Sequence, residues 1–200
     1  MTLLGGMHTR YVHGRRVERL GEQFAALLPA NASVLDVGCG DGRLARLVGD
    51  RRADLQVHGV DVLVRPDTAI PVEPFDGRVI PFADRSLDAL MFADVLHHAE
   101  DPLALLREAA RTARSAVVIK DHLREGVGAN VTLRFMDWVG NARHGVSLPY
   151  RYWNRREWQD AFASARLVVE HWQERLSLYP LPASWLFDRS LHFMARLRPA

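Results

Sequence analysis

The architecture of this chain is best approached through residues 34–42, which read Val34-Leu35-Asp36-Val37-Gly38-Cys39-Gly40-Asp41-Gly42. A short apolar run that ends in glycines predicts a buried strand, and the apolar spacing of residues 43–49 predicts a helix behind it. A strand, a glycine-rich turn and a helix together place a ligand beyond the carboxyl end of the strand. Gly38 and Gly40 let the backbone turn tightly and approach that ligand closely.

Strands and helices alternate along the rest of the chain. Further strands are predicted at 55–60, 78–80, 87–93, 116–119, 167–172 and 190–197. Helices are predicted at about 10–28, from Asp101-Pro102 onward, through 133–139 and at about 154–163, with Asp101 as the N-cap. This alternation predicts an α/β fold with a largely parallel sheet that helices cover on both faces.

Composition limits the class of protein. The 200 residues are 48% hydrophobic and 25% charged, as in ordinary globular domains. Twenty-six basic residues oppose twenty-four acidic ones, so no nucleic-acid partner is expected. The single cysteine, Cys39, cannot form an intramolecular disulfide. The pattern of a secretion signal is not found, nor is a stretch that could span a bilayer, so we expect a cytoplasmic monomer or homodimer.

The spacing of the glycines favours one kind of ligand over another. A dinucleotide site is typically G-x-G-x-x-G, whereas residues 38–42 give G-x-G-x-G. Asp41 at the start of the helix would repel a pyrophosphate, which favours the cationic S-adenosylmethionine (SAM) over NAD. Asp61 closes the second strand, where a carboxylate can accept both ribose hydroxyls. The alternative for Asp61 is a turn or cap residue.

Three motifs resemble those of class I SAM-dependent methyltransferases of the small-molecule, type 11-like kind. They are residues 34–42, the run Val79-Ile80-Pro81-Phe82-Ala83-Asp84-Arg85-Ser86-Leu87-Asp88, and Asp94-Val95-Leu96-His97-His98 followed by Asp101-Pro102. The resemblance covers roughly residues 30–122. It implies a Rossmann-like, doubly wound, mostly parallel seven-stranded sheet with helices on both faces and a final antiparallel strand.

The resemblance also implies a single methyltransferase domain over residues 1–200. Its parts would be an N-terminal helical cap at 1–30, a SAM-binding core at 31–122, a substrate-side insertion at 123–165 and terminal strands at 166–200. The SAM-binding residues it implies are Asp36, Gly38, Cys39, Gly40, Asp61, Val62, Asp76, Gly77 and Asp94. Asp76 would meet the adenine amino group, although Asp76-Gly77 is also a typical turn dipeptide. Cys39 is expected to be a small packing residue rather than a nucleophile.

Candidate catalytic residues follow the fourth and fifth strands. A methyl transfer needs a general base only if the acceptor arrives protonated, and the candidates for that base are His98 and His122. The alternative is that such a histidine packs or binds backbone. Candidate substrate contacts are His97, Asp121, Asn141 and Tyr150. No metal is predicted, because adjacent histidines such as His97 and His98 are not expected to face one ion.

The nature of the acceptor is suggested by the insertion and the end of the chain. Both are rich in large apolar side chains that could wall an apolar or aromatic acceptor, or merely pack the insertion onto the sheet: Phe135, Met136, Trp138, Tyr150, Tyr152, Trp153, Trp158, Trp185, Leu186 and Phe187. We therefore expect methyl transfer to a small apolar or aromatic metabolite. The alternatives are a non-catalytic SAM-binding protein and a methyltransferase acting on RNA or protein.

Overall fold

The computed structural model of the protein describes residues 3–141, 150–181, 183–188 and 190–200, with the backbone alone for residues 3–13, 139–141, 183 and 186. The helices are α1 Leu3–Leu27, α2 Arg43–Arg51, α3 Pro102–Thr112, α4 Ala129–Asn141, α5 Arg155–Ser164 and α6 Ala183–Phe187. The strands are β1 Ser33–Val37, β2 Gln56–Asp61, β3 Val72–Pro74, β4 Leu87–Ala93, β5 Ala113–His122, β6 Leu167–Gln173 and β7 His192–Pro199.

The strands form one seven-stranded sheet in the order β3-β2-β1-β4-β5-β7-β6. The pairs among β1 to β5 are parallel, whereas β7 lies between β5 and β6 and runs antiparallel to both. The predicted fold class, with its mostly parallel sheet and its final antiparallel strand, is therefore confirmed.

Alternate residues of the central strands face two separate apolar cores. Leu35, Leu90 and Val117 point to one face and pack with residues of α3 and α5. Their neighbours Val34 and Met91 point to the other face and pack with residues of α1 and α2. Burying each such side chain contributes about 1.5–3 kcal/mol, so both faces of the sheet hold their helices by hydrophobic packing.

The predicted position of the third strand is wrong. The sequence suggested residues 78–80, but β3 is Val72–Pro74 within the proline-rich stretch. It pairs with β2 as an edge strand, where the missing N–H of Pro74 costs no ladder hydrogen bond. Ile80 is apolar because it is buried in the core as part of a loop, and its N–H donates to Glu108 at 3.0 Å.

Most other predicted elements are confirmed to within about four residues at their ends, but α1 begins at Leu3 rather than at about residue 10. The Asp101 side chain accepts the N–H of Ala104 at 2.9 Å, as expected of an N-cap. Two short elements were not predicted: a 3-10 turn at Leu96–His98 and the helix α6. Within the described residues, no helix combines the length and the apolar character that crossing a membrane requires.

Candidate active site

Four strand ends meet at one edge of the sheet. Because β1, β2, β4 and β5 are parallel, the residues at their carboxyl ends share that edge. They are Gly38 after β1, Asp61 at the end of β2, Asp94 after β4 and His122 at the end of β5. The strand order reverses between β1 and β4, and this is where open α/β sheets bind their ligands.

The glycine loop has a backbone that only glycine adopts easily. Gly38 and Gly42 have φ of +74° and +72°. A Cβ on Gly38 would lie 2.7 Å from Val95 Cγ2, and one on Gly42 would lie 2.6 Å from Ile70 Cγ1. Left-handed backbone disfavours other residues, and close packing adds to that cost. The predicted need for glycine at this turn thus has a steric basis.

Asp61 joins the glycine loop to the end of β2. Its Oδ2 accepts the N–H of Gly40 at 2.7 Å, and its Oδ1 accepts the N–H of Leu63 at 2.9 Å. The N–H of Gly38 in turn donates to the carbonyl of Val60 at 2.8 Å. The Asp61 side chain is half-buried. Its proposed contact with a ribose stays a prediction.

Asp36 is a buried carboxylate without a cationic partner. Its side chain is 2% exposed, and its Oδ1 has no hydrogen-bond partner among the described residues. Burial, with a smaller contribution from the negative charge of Asp61, raises the pKa of Asp36 to about 7. Within the described residues neither aspartate forms an ion pair. Two acidic side chains without a cationic partner among the described residues therefore lie beneath the glycine loop.

Cys39 packs against the second strand. Its Sγ lies 2.5 Å from the point where a Cβ on Gly59 would stand, so the thiol occupies the space that this glycine leaves. Burial, followed by the charges of Asp36 and Asp61, raises the pKa of Cys39 to about 12. A thiol with such a pKa stays protonated near neutral pH and is a poor nucleophile. This geometry supports the packing interpretation.

A pocket of about 210 Å³ opens between residues that follow β2, β3 and β4. It brings together four of the sequence-predicted residues, namely Val62, Asp76, Gly77 and His98. Oδ1 of Asp76 accepts the N–H groups of residues 78 and 79 at 2.8 and 2.7 Å, which lowers its pKa. Asp76 therefore does form a turn, as the Asp76-Gly77 dipeptide suggested. It also lines the pocket.

A buried chain of polar side chains links β5 to α4. His97 Nδ1 lies 2.6 Å from Asp121 Oδ1, and His97 Nε2 lies 3.3 Å from Asp137 Oδ1. The Tyr152 hydroxyl donates to Asp137 Oδ2 at 2.5 Å. Asp121 also accepts the N–H of Leu96 at 3.0 Å, which fixes the turn that carries His97.

A second buried group of charges surrounds Asp94. Its carboxylate is bound by the guanidinium of Arg16 from α1 and by the ammonium of Lys120 from β5. Lys120 Nζ lies 3.3 Å from His192 Nδ1, and His192 Nδ1 lies 3.1 Å from His122 Nδ1. Asp94, predicted to bind the donor, is thus already neutralised by two cations, and its side chain is 19% exposed.

The two groups of charges shift each other's pKa values. Burial alone lowers the pKa of His97, but attraction to Asp121 and Asp137 outweighs it and raises the pKa to about 10. Burial raises the pKa of Asp121, yet His97 reverses this and lowers it overall. Burial, and then repulsion by His97, lowers the pKa of His122. Burial likewise lowers the pKa of Lys120 despite its ion pair with Asp94.

The two predicted catalytic histidines lie in different surroundings. His98 is half-buried, lines the 210 Å³ pocket, and has an Nδ1 without a partner among the described residues. His122 is 5% exposed and contacts Asp137, with 3.6 Å between its Nε2 and Asp137 Oδ1. Burial, and then His97, lowers the pKa of His98.

The predicted substrate contacts are only partly placed. His97 and Asp121 belong to the buried network described above. Tyr150 lies under Arg134, with 4.2 Å from the guanidinium carbon to the ring centroid, and is half-buried. The side chain of Asn141 lies outside the described residues, so its predicted contact with the acceptor has no structural counterpart here.

The aromatic side chains expected to wall an acceptor pocket divide into two sets. Trp158 is 2% exposed and packs against Trp153 and Phe162. This tryptophan therefore packs the insertion onto the sheet, the second of the two roles considered for these side chains. Phe135 and Trp138 on α4 are 52% and 58% exposed. The side chain of Leu186 lies outside the described residues.

Sequence reasoning did not select several residues of the network as site residues: Arg16, Lys120, Asp137, Tyr179 and His192. One signal was available, since Lys120 is the only lysine and interrupts an apolar strand. Asp137 similarly stands among apolar residues of α4. For the others there was no local signal, because their partners lie far away along the chain.

Comparison with known proteins identifies the family. The sequence model of a family described as a methyltransferase domain matches residues 8–171. The 27-O-demethylrifamycin SV methyltransferase of Amycolatopsis mediterranei is 29% identical over 111 residues, covering 48% of this chain. That match spans only 40% of the rifamycin enzyme's own length.

Two solved structures share the fold. A methyltransferase described as putative, in complex with the Trm112 activator of Haloferax volcanii, aligns with a TM-score of 0.70 and 19% identity, covering 92% of this chain and 91% of that one. Geranyl diphosphate C-methyltransferase of Streptomyces coelicolor, in complex with Mg²⁺, geranyl diphosphate and S-adenosyl-L-homocysteine, aligns at 0.64 and 15% identity, covering 86% and 74%.

The seven-stranded order and the glycine loop define an α/β protein with a ligand crevice at the switch point of its sheet. The match over residues 8–171 covers most of the chain, so the chain belongs to the class I SAM-dependent methyltransferases.

Proposed function

We propose that this protein takes its methyl group from SAM and transfers it to a small acceptor of apolar or aromatic character. The observation that carries the donor assignment is the pair of acidic side chains, Asp36 and Asp61, that lie beneath the glycine loop without a cationic partner among the described residues. SAM has a positively charged sulfonium and ammonium, whereas NAD carries a pyrophosphate. Negative charge favours the first ligand and repels the second.

The proposed donor site extends from the glycine loop to the 210 Å³ pocket. Gly38, Cys39 and Gly40 would contact the methionine part through the loop backbone, with Asp36 beneath them. Asp61 would accept the ribose hydroxyls, and the pocket lined by Val62, Asp76 and Gly77 would take the adenine. Asp94 is best placed as a boundary residue, since it ties α1 to the loop after β4 through Arg16.

The proposed reaction is an in-line displacement. A lone pair of the acceptor forms the new bond to the methyl carbon, and the electron pair of the breaking carbon–sulfur bond goes to sulfur, which leaves neutral S-adenosylhomocysteine. Holding both reactants in line supplies much of the acceleration. If the acceptor is a hydroxyl, its proton must leave, and His98 or His122 would accept it.

The histidine–aspartate network is proposed to bind the acceptor side of the site. His97 is held by Asp121 at 2.6 Å, so its ring is fixed in orientation at the edge of the sheet. Asn141 and Tyr150 would contact the acceptor from the insertion. The rifamycin enzyme, named for a small-molecule acceptor, supports a small acceptor here as well.

A panel assay tests the proposed activity. The purified protein would be incubated with SAM labelled on the methyl group and a panel of hydroxylated aromatic and apolar metabolites. We expect label in at least one small product, and we expect His98→Ala to lower kcat by about 10²-fold or more if that side chain is the base. His58→Ala, an exposed histidine on β2, is the matched control.

The alternatives predict different results in the same assay. Label that enters only added RNA or protein would favour a macromolecular acceptor. Tight binding of S-adenosylhomocysteine without transfer to any acceptor would favour a non-catalytic SAM-binding protein.

A further inference from the structure

We infer that His97, His98 and Asp137 form a binding site for one divalent ion of the Zn²⁺ class. One ligand atom from each of the three residues lies within 4.8 Å of the other two. All three stand at the same edge of the sheet as the glycine loop. The inference goes beyond methyl transfer, since binding of an ion can be measured without donor or acceptor.

The local backbone explains why two adjacent histidines can face one ion. No metal was expected because the two histidines are adjacent in the sequence, and in extended backbone neighbouring side chains point to opposite faces. His97 and His98 instead lie in the 3-10 turn Leu96–His98, where successive side chains turn around one axis. Their ring centroids are 4.0 Å apart with a tilt of 43°.

The spacing between His97 and Asp137 suits two ligands of one ion better than a hydrogen bond. His97 Nε2 and Asp137 Oδ1 are 3.3 Å apart. A charge-assisted N–H···O bond is about 2.7–2.9 Å long. Two ligands that each lie about 2.1 Å from a tetrahedral ion are about 3.4 Å apart. By contrast, the other nitrogen of His97 makes a short contact of 2.6 Å with Asp121.

The hydrogen bond to Asp121 also decides which nitrogen of His97 can bind a metal. Asp121 Oδ1 accepts from Nδ1, so Nδ1 carries a proton and Nε2 of a neutral ring has its lone pair toward Asp137. Two lone pairs face each other stably only with a cation between them, either a proton or a metal ion. His98 adds a buried Nδ1 without a partner among the described residues.

The surroundings resemble the outer layer of a metal site. A metal-bound histidine usually donates its other N–H to a carboxylate, as His97 does to Asp121. A metal-bound carboxylate is usually hydrogen-bonded, as Asp137 is by the Tyr152 hydroxyl at 2.5 Å. Lys120 and Arg16 bind Asp94 rather than Asp137.

The donor atoms indicate the class of ion. Two imidazoles and one carboxylate suit Zn²⁺, Fe²⁺ or Co²⁺, whereas Mg²⁺ and Ca²⁺ prefer oxygen ligands. Three protein ligands leave a fourth position open, which is typical of catalytic sites, where the ion polarises a bound oxygen. With His98 as a ligand, the proton-accepting role proposed above falls to His122.

The test is a metal titration of the full chain. Protein stripped with a chelator would be titrated with Zn²⁺ against a chromophoric chelator, and with Co²⁺ while its visible ligand-field bands are recorded. We expect one ion per chain. His98→Ala and Asp137→Asn should each weaken binding by at least about 100-fold, and Tyr152→Phe by about 10-fold. His58→Ala, an exposed histidine of β2, should leave binding unchanged.

Two further measurements keep the outcomes distinct. Circular dichroism checks that each variant folds, and if Asp137→Asn does not, the half-buried His98 still provides the test. Calorimetry with S-adenosylhomocysteine on the same protein separates a failed metal site from a failed donor site. No ion bound, or equal affinity in His98→Ala and the wild type, would overturn the inference and leave a protonated His97 between two carboxylates.

Discussion

The buried carboxylates at the edge of the sheet form two groups that differ in their counter-charges. Asp36 lies under the glycine loop without a cation, and burial raises its pKa to about 7. Asp121 is as deeply buried as Asp36, yet attraction to His97 lowers its pKa, and Lys120 and Arg16 likewise lower the pKa of Asp94, whose side chain is 19% exposed. Similar burial of Asp36 and Asp121 thus shifts their pKa values in opposite directions, and the presence of a cationic partner decides the direction.

The two groups of carboxylates therefore differ in what they leave for a ligand to supply. Asp94 is neutralised by Arg16 and Lys120, and this ion-pair group ties α1 to β4 and β5. The glycine loop side has two acidic side chains without a cationic partner among the described residues. A cationic ligand such as SAM would supply the missing charge. Four predictions test this contrast, in descending order of the change each should produce.

The greatest change in the free energy of unfolding is expected when Asp121 is replaced. Asp121→Ala should lower the free energy of unfolding by about 3–5 kcal/mol, because it leaves His97 and the N–H of Leu96 buried without their acceptor. Urea unfolding at neutral pH measures this. Asp84→Ala is the control, since that side chain is 79% exposed, and its ion pair with Arg111 should contribute no more than about 1 kcal/mol. Equal losses in both variants would contradict the contrast.

On the donor side, removing the charge should stabilise the protein in a pH-dependent way. The pKa of Asp36 is about 7 in the folded state, against 3.8 for an aspartate free of the fold. A raised carboxyl pKa favours the protonated form, so wild-type stability falls as pH rises from about 4 through 7. The full difference is on the order of 4 kcal/mol. Asp36→Asn should therefore gain stability relative to the wild type at pH 8 but not at pH 4.

Urea unfolding at both values of pH checks this, with the exposed Asp67→Asn as a control that should show no such pH dependence. The same Asp36→Asn variant should bind S-adenosylhomocysteine more weakly. A stability difference between Asp36→Asn and the wild type that is the same at pH 4 and pH 8 would show that Asp36 is not an uncompensated charge.

The glycine loop allows backbone strain to be separated from steric contact. Gly38 and Gly128 both have φ of +74°, but only a Cβ on Gly38 would meet a neighbour, at 2.7 Å from Val95. Gly128→Ala should cost about 1–2 kcal/mol from the left-handed backbone alone. Gly38→Ala should cost about 1–3 kcal/mol more through overpacking and should lose donor binding.

Thermal unfolding of the two variants gives the comparison. The double variant Gly38→Ala with Val95→Ala should recover part of the loss, because it removes the side chain that the new methyl group meets. If Gly38→Ala is no less stable than Gly128→Ala, contact with Val95 does not add to the cost of a side chain at position 38.

The smallest effect concerns the reactivity of the only cysteine. Burial and then Asp36 and Asp61 raise the pKa of Cys39. Asp36→Asn should therefore speed alkylation of Cys39 a few-fold at pH 8, because the thiolate is the reactive form. Asp67→Asn should leave the rate unchanged. A rate that does not respond to Asp36→Asn would mean that the two groups do not share one electrostatic environment.

The sequence predicted the strand and glycine turn around Gly38 more fully than the buried polar side chains around Asp94 and Asp121. The apolar run at 34–37, the glycines after it and Asp61 lie within one strand–helix–strand unit, so local spacing was enough to place them. The third strand escaped prediction because proline density argues against regular structure, although an edge strand tolerates Pro74. Periodicity therefore predicted the other strands of the sheet but misplaced the edge strand β3.

The network could not be read from the sequence, because its pairs are far apart in the chain. Lys120 meets His192 and His97 meets Asp137 only after the sheet and α4 have formed. The 3-10 turn that brings His97 and His98 together has no periodic signature over three residues. For such sites a sequence supplies the residue types, and the tertiary structure supplies the distances.

The most direct test of the donor site is calorimetric titration of the purified protein with S-adenosylhomocysteine, with NADH as the comparison ligand and Asp61→Ala as the variant. We expect micromolar binding of S-adenosylhomocysteine, no binding of NADH, and loss of at least about 1.4 kcal/mol, a tenfold weakening, in Asp61→Ala but not in Asp67→Ala. Absence of binding by the wild type, or equal affinity in Asp61→Ala, would contradict the proposed donor site.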